Sequence, residues 1–395
     1  MTPPYDIEKE DAHMETRRLF YEDSHLAEFT AAVTACEAVE NGWAIQLSAT
    51  AFYPEGGGQA CDKGTLDGVN VLDVQEKDGN ILHFCDEKLE IGQTVTGRID
   101  WARRFDLMQQ HSGEHIVSGI ICSRYGYHNV GFHVGSEMME IDFDGPIPAD
   151  ALAEIEALAN RAVWANSPIR CWYPSEEELP TVPYRSKKRL DWPVRIVEIP
   201  GTDSCACCGV HVKFTGEIGL IKIVSCVKFH SGVRIELTCG ARALKLTQGI
   251  FEQNRQVSQA FSAKMLETGA AAAKINAQLA AEKLRANQLQ TQLLRHTASG
   301  YEKAGNVLHF EENLDGQQLR ELTDAIARVC GGRAAVFSGS GENWNVCILH
   351  PGGDLAPVIT ALKAAFPTRG GGKPGSFQGT VQATRQQIEA LFAAQ

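Results

Sequence analysis

A chain of 395 residues, 44% hydrophobic and 22% charged, is long enough for about two to four folded domains and has the composition of a globular protein rather than a disordered one. Its net charge of -12 excludes a protein that coats nucleic acid nonspecifically, since phosphate binding draws on a surplus of Lys and Arg, but it leaves room for a local basic surface. No apolar run is long enough to cross a bilayer, and Met1-Thr2-Pro3-Pro4-Tyr5-Asp6 has neither the basic region nor the apolar core of a signal peptide, so cytoplasm is the expected compartment.

In chain order, residues 1 to about 13 read as a loose polar arm. From Thr16 to about Ile99 short β-like runs alternate with Gly, Asn and Asp turns, as in Trp43 to Ser48, Val69 to Val74 and Ile81 to Phe84. A helix over about Ser24 to Glu37 is expected to interrupt them, and a small β-barrel is the natural way to pack so many short strands. Inside this region lies Thr50-Ala51-Phe52-Tyr53-Pro54-Glu55-Gly56-Gly57-Gly58-Gln59. Its three glycines free the backbone for positive φ and for close approach of a ligand, and Phe52 and Tyr53 read either as base-stacking rings or as core.

Residues 99 to 240 have an α+β pattern. A helix from about Phe105 to Ile121 sets His111 and His115 on one face, four positions apart. Strands are expected at Met138 to Phe143, Ile169 to Tyr173, Val194 to Ile199, Ile218 to Val224 and Val233 to Leu237, with a helix from Pro148 to Asn166. Pro174 to Arg189 is a polar excursion ending in Lys187, Lys188 and Arg189, read as a phosphate contact or as a solvated loop. Among the 12 Cys, Cys205, Cys207 and Cys208 crowd into four positions, which suits metal or thiol chemistry better than a disulfide framework. Cys207 and His211 form a second pair at a spacing of four, held by a turn. Together, His111, His115, Cys207 and His211 offer a tetrahedral nitrogen and sulfur set for one Zn²⁺ per chain.

Residues 241 to 298 read as a helical hairpin with a weak point around Ser262 to Gly269. Between 241 and 299, eight Lys or Arg face three Glu, the one electrostatic hint of a polyanionic partner. Residues 299 to 395 alternate strands (Val307 to Phe310, Ala334 to Phe337, Val346 to Leu349) with helices (Gln317 to Val329, Leu355 to Ala365, Arg385 to Ala393), a compact α/β domain. It carries a second glycine run, Gly370-Gly371-Gly372-Lys373-Pro374-Gly375-Ser376-Phe377-Gln378-Gly379. The expected fold is therefore α+β multidomain, with a β-barrel domain at 1–98, an α+β zinc-binding domain at 99–240, a helical hairpin at 241–298 and an α/β domain at 299–395.

The ordered set of Thr50-x-Phe52-Tyr53-Pro54-Glu55-Gly56-Gly57-Gly58-Gln59, His111-x-x-x-His115, Cys207-x-x-x-His211 and Gly232-Val233-Arg234-Ile235-Glu236 resembles the editing domain of alanyl-tRNA synthetases. With no synthetase catalytic domain ahead of it, and with the Gly370 to Gly379 run after the helices, the chain resembles the long form of the free-standing alanyl-tRNA editing proteins. The resemblance implies hydrolysis of Ser-tRNA(Ala), and of Gly-tRNA(Ala), at the aminoacyl ester. A synthetic pocket for Ala rejects Gly and Ser only weakly, so a second, hydrolytic sieve is useful.

The resemblance also implies roles. Thr50 would recognise the seryl hydroxyl, and Gln59, His133 and Cys207 would stand at the reacting centre, with His133 by register where the synthetases have a Gln. His133 reads equally as an ordinary strand histidine. Gly56, Gly57, Gly58 and Arg234 would bind the substrate, while Lys187, Lys188, Arg189 and Lys373 would meet the tRNA. The chain departs from the family at Cys208 and Val210, where synthetases have Gly and Thr, so Cys208 is a competing thiolate. The helical segment and the C-terminal domain also offer surfaces for a homodimer.

Two other readings stay open. His111-Ser112-Gly113-Glu114-His115 matches the H-x-x-E-H metallopeptidase signature, in which Glu114 would be catalytic, against a plain reading of Glu114 as a solvated helix residue. A zinc-stabilised tRNA-binding module without activity is the non-enzymatic alternative.

Overall fold

The computed structural model describes residues 16–186 and 190–395. The expected N-terminal arm, residues 1 to 13, lies outside the described residues, as do Lys187, Lys188 and Arg189. The chain divides into two compact units, the first ending at Arg255 and the second running from Gln256 to Gln395.

The first unit begins with a closed antiparallel barrel. Its strands follow one another around the wall as Glu28–Val39, Gly42–Leu47, Asn80–Cys85, Val69–Lys77, Gly64–Leu66 and Thr94–Ile99, the last pairing back onto the first. Inward residues alternate with outward ones, so Phe29, Val33, Ile45, Leu47, Val74, Ile81 and Val95 fill the interior. Strand Glu28–Val39 replaces the helix expected over about Ser24 to Glu37. Phe29, Ala31 and Val33 are buried at every second position, a period of two that fits a barrel wall and not a helix.

Helix Trp101–Tyr125 starts where the Asp100 side chain accepts the Arg103 N–H, and it ends at Gly126 with φ of 72°. Most of its length from Leu107 to Gly119 is buried, so its polar residues Gln109, Gln110, His111, Ser112 and Glu114 face protein and not water. It lies against a four-stranded antiparallel sheet ordered Ile221–Phe229, Gly232–Cys239, Met139–Phe143 and Asn129–Val134, with helix Leu152–Trp164 beside it. A three-stranded sheet of Arg170–Trp172, Ile196–Ile199 and Asp203–Ala206 completes this layer and leads into the Cys207 turn. Asp150 sits in a short 3-10 turn, Ala149–Ala151, ahead of that helix.

Helices Gly240–Ala260 and Thr268–Ser299 occupy the segment expected as a hairpin and are interrupted over 261–267, where the helical pattern weakens. In the second unit, strands Gly305–Glu311, Gly331–Ser340, Asn343–Leu349, Ser376–Gln382 and Thr368–Gly371 form one sheet in that order, parallel at the first pair and antiparallel beyond it. Helix Gly316–Cys330 opens with a full capping box from Asp315 and Gln318, and buries Leu319, Leu322 and Ile326 with Leu294 and Ala298 of the preceding helix. The second glycine run forms the edge hairpin of this sheet, where Gly370 lies opposite Gly379. Among the described residues, no helix is long and apolar enough to cross a membrane.

Candidate metal centre and substrate cavity

The two pairs read from the sequence meet in space. One donor atom from each of His111, His115, Cys207 and His211 can be chosen so that all lie within 4.8 Å of one another. The three imidazole rings pack at centroid separations of 5.3 Å for His111 and His115, and 4.6 Å from each of them to His211. His111 Nε2 lies 3.4 Å from Cys207 Sγ. The helix supplies two donors on one face, and the turn after strand Asp203–Ala206 supplies the other two.

Each ring is held from behind. His111 Nδ1 donates to Gln59 Oε1 at 2.8 Å, because an amide oxygen can only accept. His115 Nδ1 meets Asp203 Oδ2 at 2.9 Å, and Arg185 fixes that carboxylate through two bonds of 2.6 and 2.8 Å. His211 Nδ1 lies 3.1 Å from Ser112 Oγ, which also accepts the Val212 N–H at 3.2 Å. These contacts turn the Nε2 atoms toward the centre of the cluster, the arrangement by which outer contacts fix the tautomer and orientation of ligating histidines. His211 Nε2 is buried and has no hydrogen-bond partner among the described residues, an orphan that a metal ion would satisfy. Burial pushes the Cys207 thiol up, so a thiolate there requires a nearby cation, while the Gly209 N–H points at its sulfur from 3.3 Å. Three imidazoles and one thiol thus fit a Zn²⁺ ion by donor type, number and burial.

A cavity of about 950 Å³ opens on this cluster and is also lined by Gly57, Gly58, Glu114, Phe132, Arg185 and Cys208. Gly57 and Gly58 have φ of 58° and 80°. A Cβ on Gly58 would lie 2.6 Å from the Phe132 ring and one on Gly57 2.9 Å from Cys208 Sγ, so glycine is needed both for backbone angle and for space. Cys208 therefore faces the glycine loop, and Cys207 is the thiol that belongs to the four-donor cluster.

Two families of known proteins match this chain. A family model described as tRNA synthetases class II (A) matches residues 6–103, and one described as Threonyl and Alanyl tRNA synthetase second additional domain matches residues 194–236, the stretch that contains Asp203, Cys207 and His211. An alanyl-tRNA editing protein of Danio rerio is 27% identical over 402 residues, covering 94% of this chain and 95% of its own length. The one from Mus musculus is 28% identical, over 94% of this chain and 96% of its own length. The resemblance to alanyl-tRNA editing proteins is borne out. An alanine--tRNA ligase of Ignicoccus hospitalis is 32% identical over 98% of this chain, which spans only 44% of that ligase. The chain thus spans under half the length of the ligases it matches and nearly all of the editing proteins.

Several residues to which the editing-protein resemblance gives site roles do not line this cavity. Thr50 is fully buried in the barrel. His83 Nδ1 donates to the Ile45 carbonyl at 3.0 Å, so His83 Nε2 is the acceptor for the Thr50 hydroxyl at 2.8 Å, and the same hydroxyl accepts the Phe52 N–H. Its polar capacity is committed to the barrel, and it does not line the cavity. His133 is exposed on strand Asn129–Val134. Neighbouring strand residues face opposite ways, and it is Phe132 that packs on His111, at 5.1 Å between centroids, so His133 points away. Arg234 is held on the sheet by Asp142 at 2.7 and 2.9 Å and by Glu140 at 2.6 Å, outside the cavity wall. Gly56 closes the turn through paired backbone bonds with Gln59 and does not line the cavity. Phe52 and Tyr53 are core residues, 0% and 2% exposed. Lys373 is exposed in the edge hairpin of the second unit.

Glu114 differs from its plain reading in the opposite sense. It is 3% exposed, lines the cavity, and its Oε1 accepts from Ser118 Oγ at 2.6 Å and Asn129 Nδ2 at 2.5 Å. Burial pushes its carboxyl up, but the charge of Arg185, the two neighbouring histidines and the Ser118 bond outweigh this and hold it at about 2. Asp203, Arg185 and Ser112 went unrecognised as parts of the site, since no spacing pattern marks a residue whose partner is a ligand from another element.

Proposed function

We propose that this chain is an aminoacyl-tRNA hydrolase acting in trans on mischarged tRNA(Ala), cleaving the ester of Ser-tRNA(Ala) and of Gly-tRNA(Ala) to release the amino acid and intact tRNA. The observation that carries the reading is the gathering of His111, His115, Cys207 and His211 into one cluster, three of them, His111, His115 and Cys207, lining a cavity that Gly57 and Gly58 also line. The near-full-length similarity to alanyl-tRNA editing proteins supports the substrate class.

His111, His115, Cys207 and His211 would hold Zn²⁺, which when bound supplies charge to orient and polarise an ester carbonyl or a water. The protein's own part is positional. Gln59, Asp203 and Ser112 keep the donor atoms converged before substrate arrives, so little reorganisation accompanies binding. Gly57 and Gly58 let the backbone approach the substrate more closely than any side chain would allow. Glu114 places a fixed negative charge in the same cavity.

The tRNA body falls to the basic helical segment 241–298 and to the α/β part 299–395 with Lys373, and a homodimer through the same elements is part of this reading. Cytoplasm is the compartment that such a substrate requires. The test is incubation with Ser-tRNA(Ala), Gly-tRNA(Ala) and Ala-tRNA(Ala), with and without a chelator. Loss of the first two, sparing of the third and abolition by the chelator are expected. Failure to deacylate any of them would leave a tRNA-binding module.

A further inference from the structure

The cavity is far larger than a seryl or glycyl group needs, and its wall includes, besides the donors and the glycine loop, Arg18, Tyr21, Tyr173 and Arg195. Tyr21 is committed to the fold: its hydroxyl donates to the Cys208 carbonyl at 2.8 Å, and the Arg195 guanidinium covers its ring at 4.5 Å. Arg195 in turn donates to the Cys207 and Gly209 carbonyls at 2.8 Å each. The pair forms a rigid partition that also braces the ligand-bearing turn. Tyr173 is different. It is 50% exposed although it faces the cavity, and among the described residues its ring stacks on no other. Beside it on the wall, Arg18 is paired with Glu76 at 2.7 Å in a half-exposed ion pair, which is weak enough to be shared with a second anion.

We propose that this wall is the subsite for the terminal nucleotide of the substrate: the adenine stacks on Tyr173 and its 5′ phosphate meets Arg18. The assignment rests on the hydrolase reading above. An open aromatic face next to a guanidinium is the pairing that single-stranded nucleic acid uses, since every base offers a π-face and every nucleotide a phosphate. It also replaces Phe52 and Tyr53, whose burial leaves them no free face.

The test uses adenosine 5′-monophosphate as the probe and the full-length, zinc-loaded protein. Binding is measured by ligand-observed NMR, and inhibition of Ser-tRNA(Ala) deacylation is followed in parallel. The nucleotide is expected to bind and to inhibit competitively, Tyr173→Ala to weaken both binding and the KM for the tRNA by about ten-fold or more, and Tyr173→Phe to restore them. Arg18→Gln is expected to weaken adenosine 5′-monophosphate without affecting free adenosine. Equal binding by wild type and Tyr173→Ala, with both folded by circular dichroism, overturns the subsite. Nucleotide binding that depends on Tyr173 in a protein that deacylates no tRNA upholds the subsite and sinks the hydrolase reading instead.

Discussion

Gln59, from the end of the glycine loop, accepts the Nδ1 proton of His111, on the long helix, at 2.8 Å. The loop and the helix thereby share one hydrogen bond that decides which nitrogen of His111 faces the donor cluster. Replacing Gln59 by Ala leaves that tautomer unfixed. Metal affinity, measured by competition with a chromogenic chelator, is expected to fall about 10- to 100-fold. Gln59→Glu, which keeps an acceptor oxygen, is expected to retain most of it.

Within the Cys207 to His211 turn, Cys208 and Gly209, two of the three non-ligand residues, should behave oppositely. A Cβ on Gly209 would run into the His111 ring, so Gly209→Ala is expected to displace a donor and abolish stoichiometric zinc in elemental analysis. Cys207→Ala should do the same by removing the thiol. Cys208→Ala lies outside the cluster and should keep full zinc. Zinc lost from Cys208→Ala but kept by Cys207→Ala would reverse the assignment.

Glu114→Gln separates hydrolase from peptidase. Both of its strong contacts are donors aimed at Oε1, and the carboxylate is held ionised, so an amide there sets N–H against N–H unless it turns. A loss of stability of about 1–3 kcal/mol in urea unfolding is expected. Deacylation should be reduced and not abolished, with no peptidase activity in wild type to lose.

Below neutral pH, His83 adds a specific liability. Burial lowers its pKa from 6.5 to about 4, partly opposed by the Ile45 carbonyl, so the folded barrel holds it neutral while the unfolded chain takes up a proton. Its contribution is intact above pH 6.5 and is lost as pH falls from there toward 4, by an amount on the order of 3 kcal/mol. Unfolding free energies of wild type and His83→Gln, compared at pH 7.5 and at pH 4.5, should converge at the lower pH if this is right.

What could be read without coordinates was whatever repeats at short range. The i, i+4 spacing of His111 with His115 and of Cys207 with His211 is set by local geometry, and strands such as Met139–Phe143 announce themselves by alternation. Strand Glu28–Val39 was misread as helix because Ala, Glu and Leu favour helix locally, and only barrel closure decides otherwise. His133 and Thr50 lie off the cavity wall for a different reason. Which face of a strand meets the site depends on register with distant partners, here Glu140 opposite His133, and a motif does not encode that parity. Asp203 and Ser112 each act on a ligand from another element, so their meaning exists only in three dimensions.

Four residues into the long helix, the Arg104 guanidinium is wholly buried against Asp62 and donates to the Ala51 and Ser24 carbonyls, while Asp62 also accepts the Tyr53 N–H at 2.6 Å. The glycine loop is therefore pinned at both of its ends to the base of the helix that carries His111 and His115. Neither segment keeps its place without the other's partner, so Asp62→Ala or Arg104→Ala alone would leave half of a buried ion pair, a defect of about 3–5 kcal/mol.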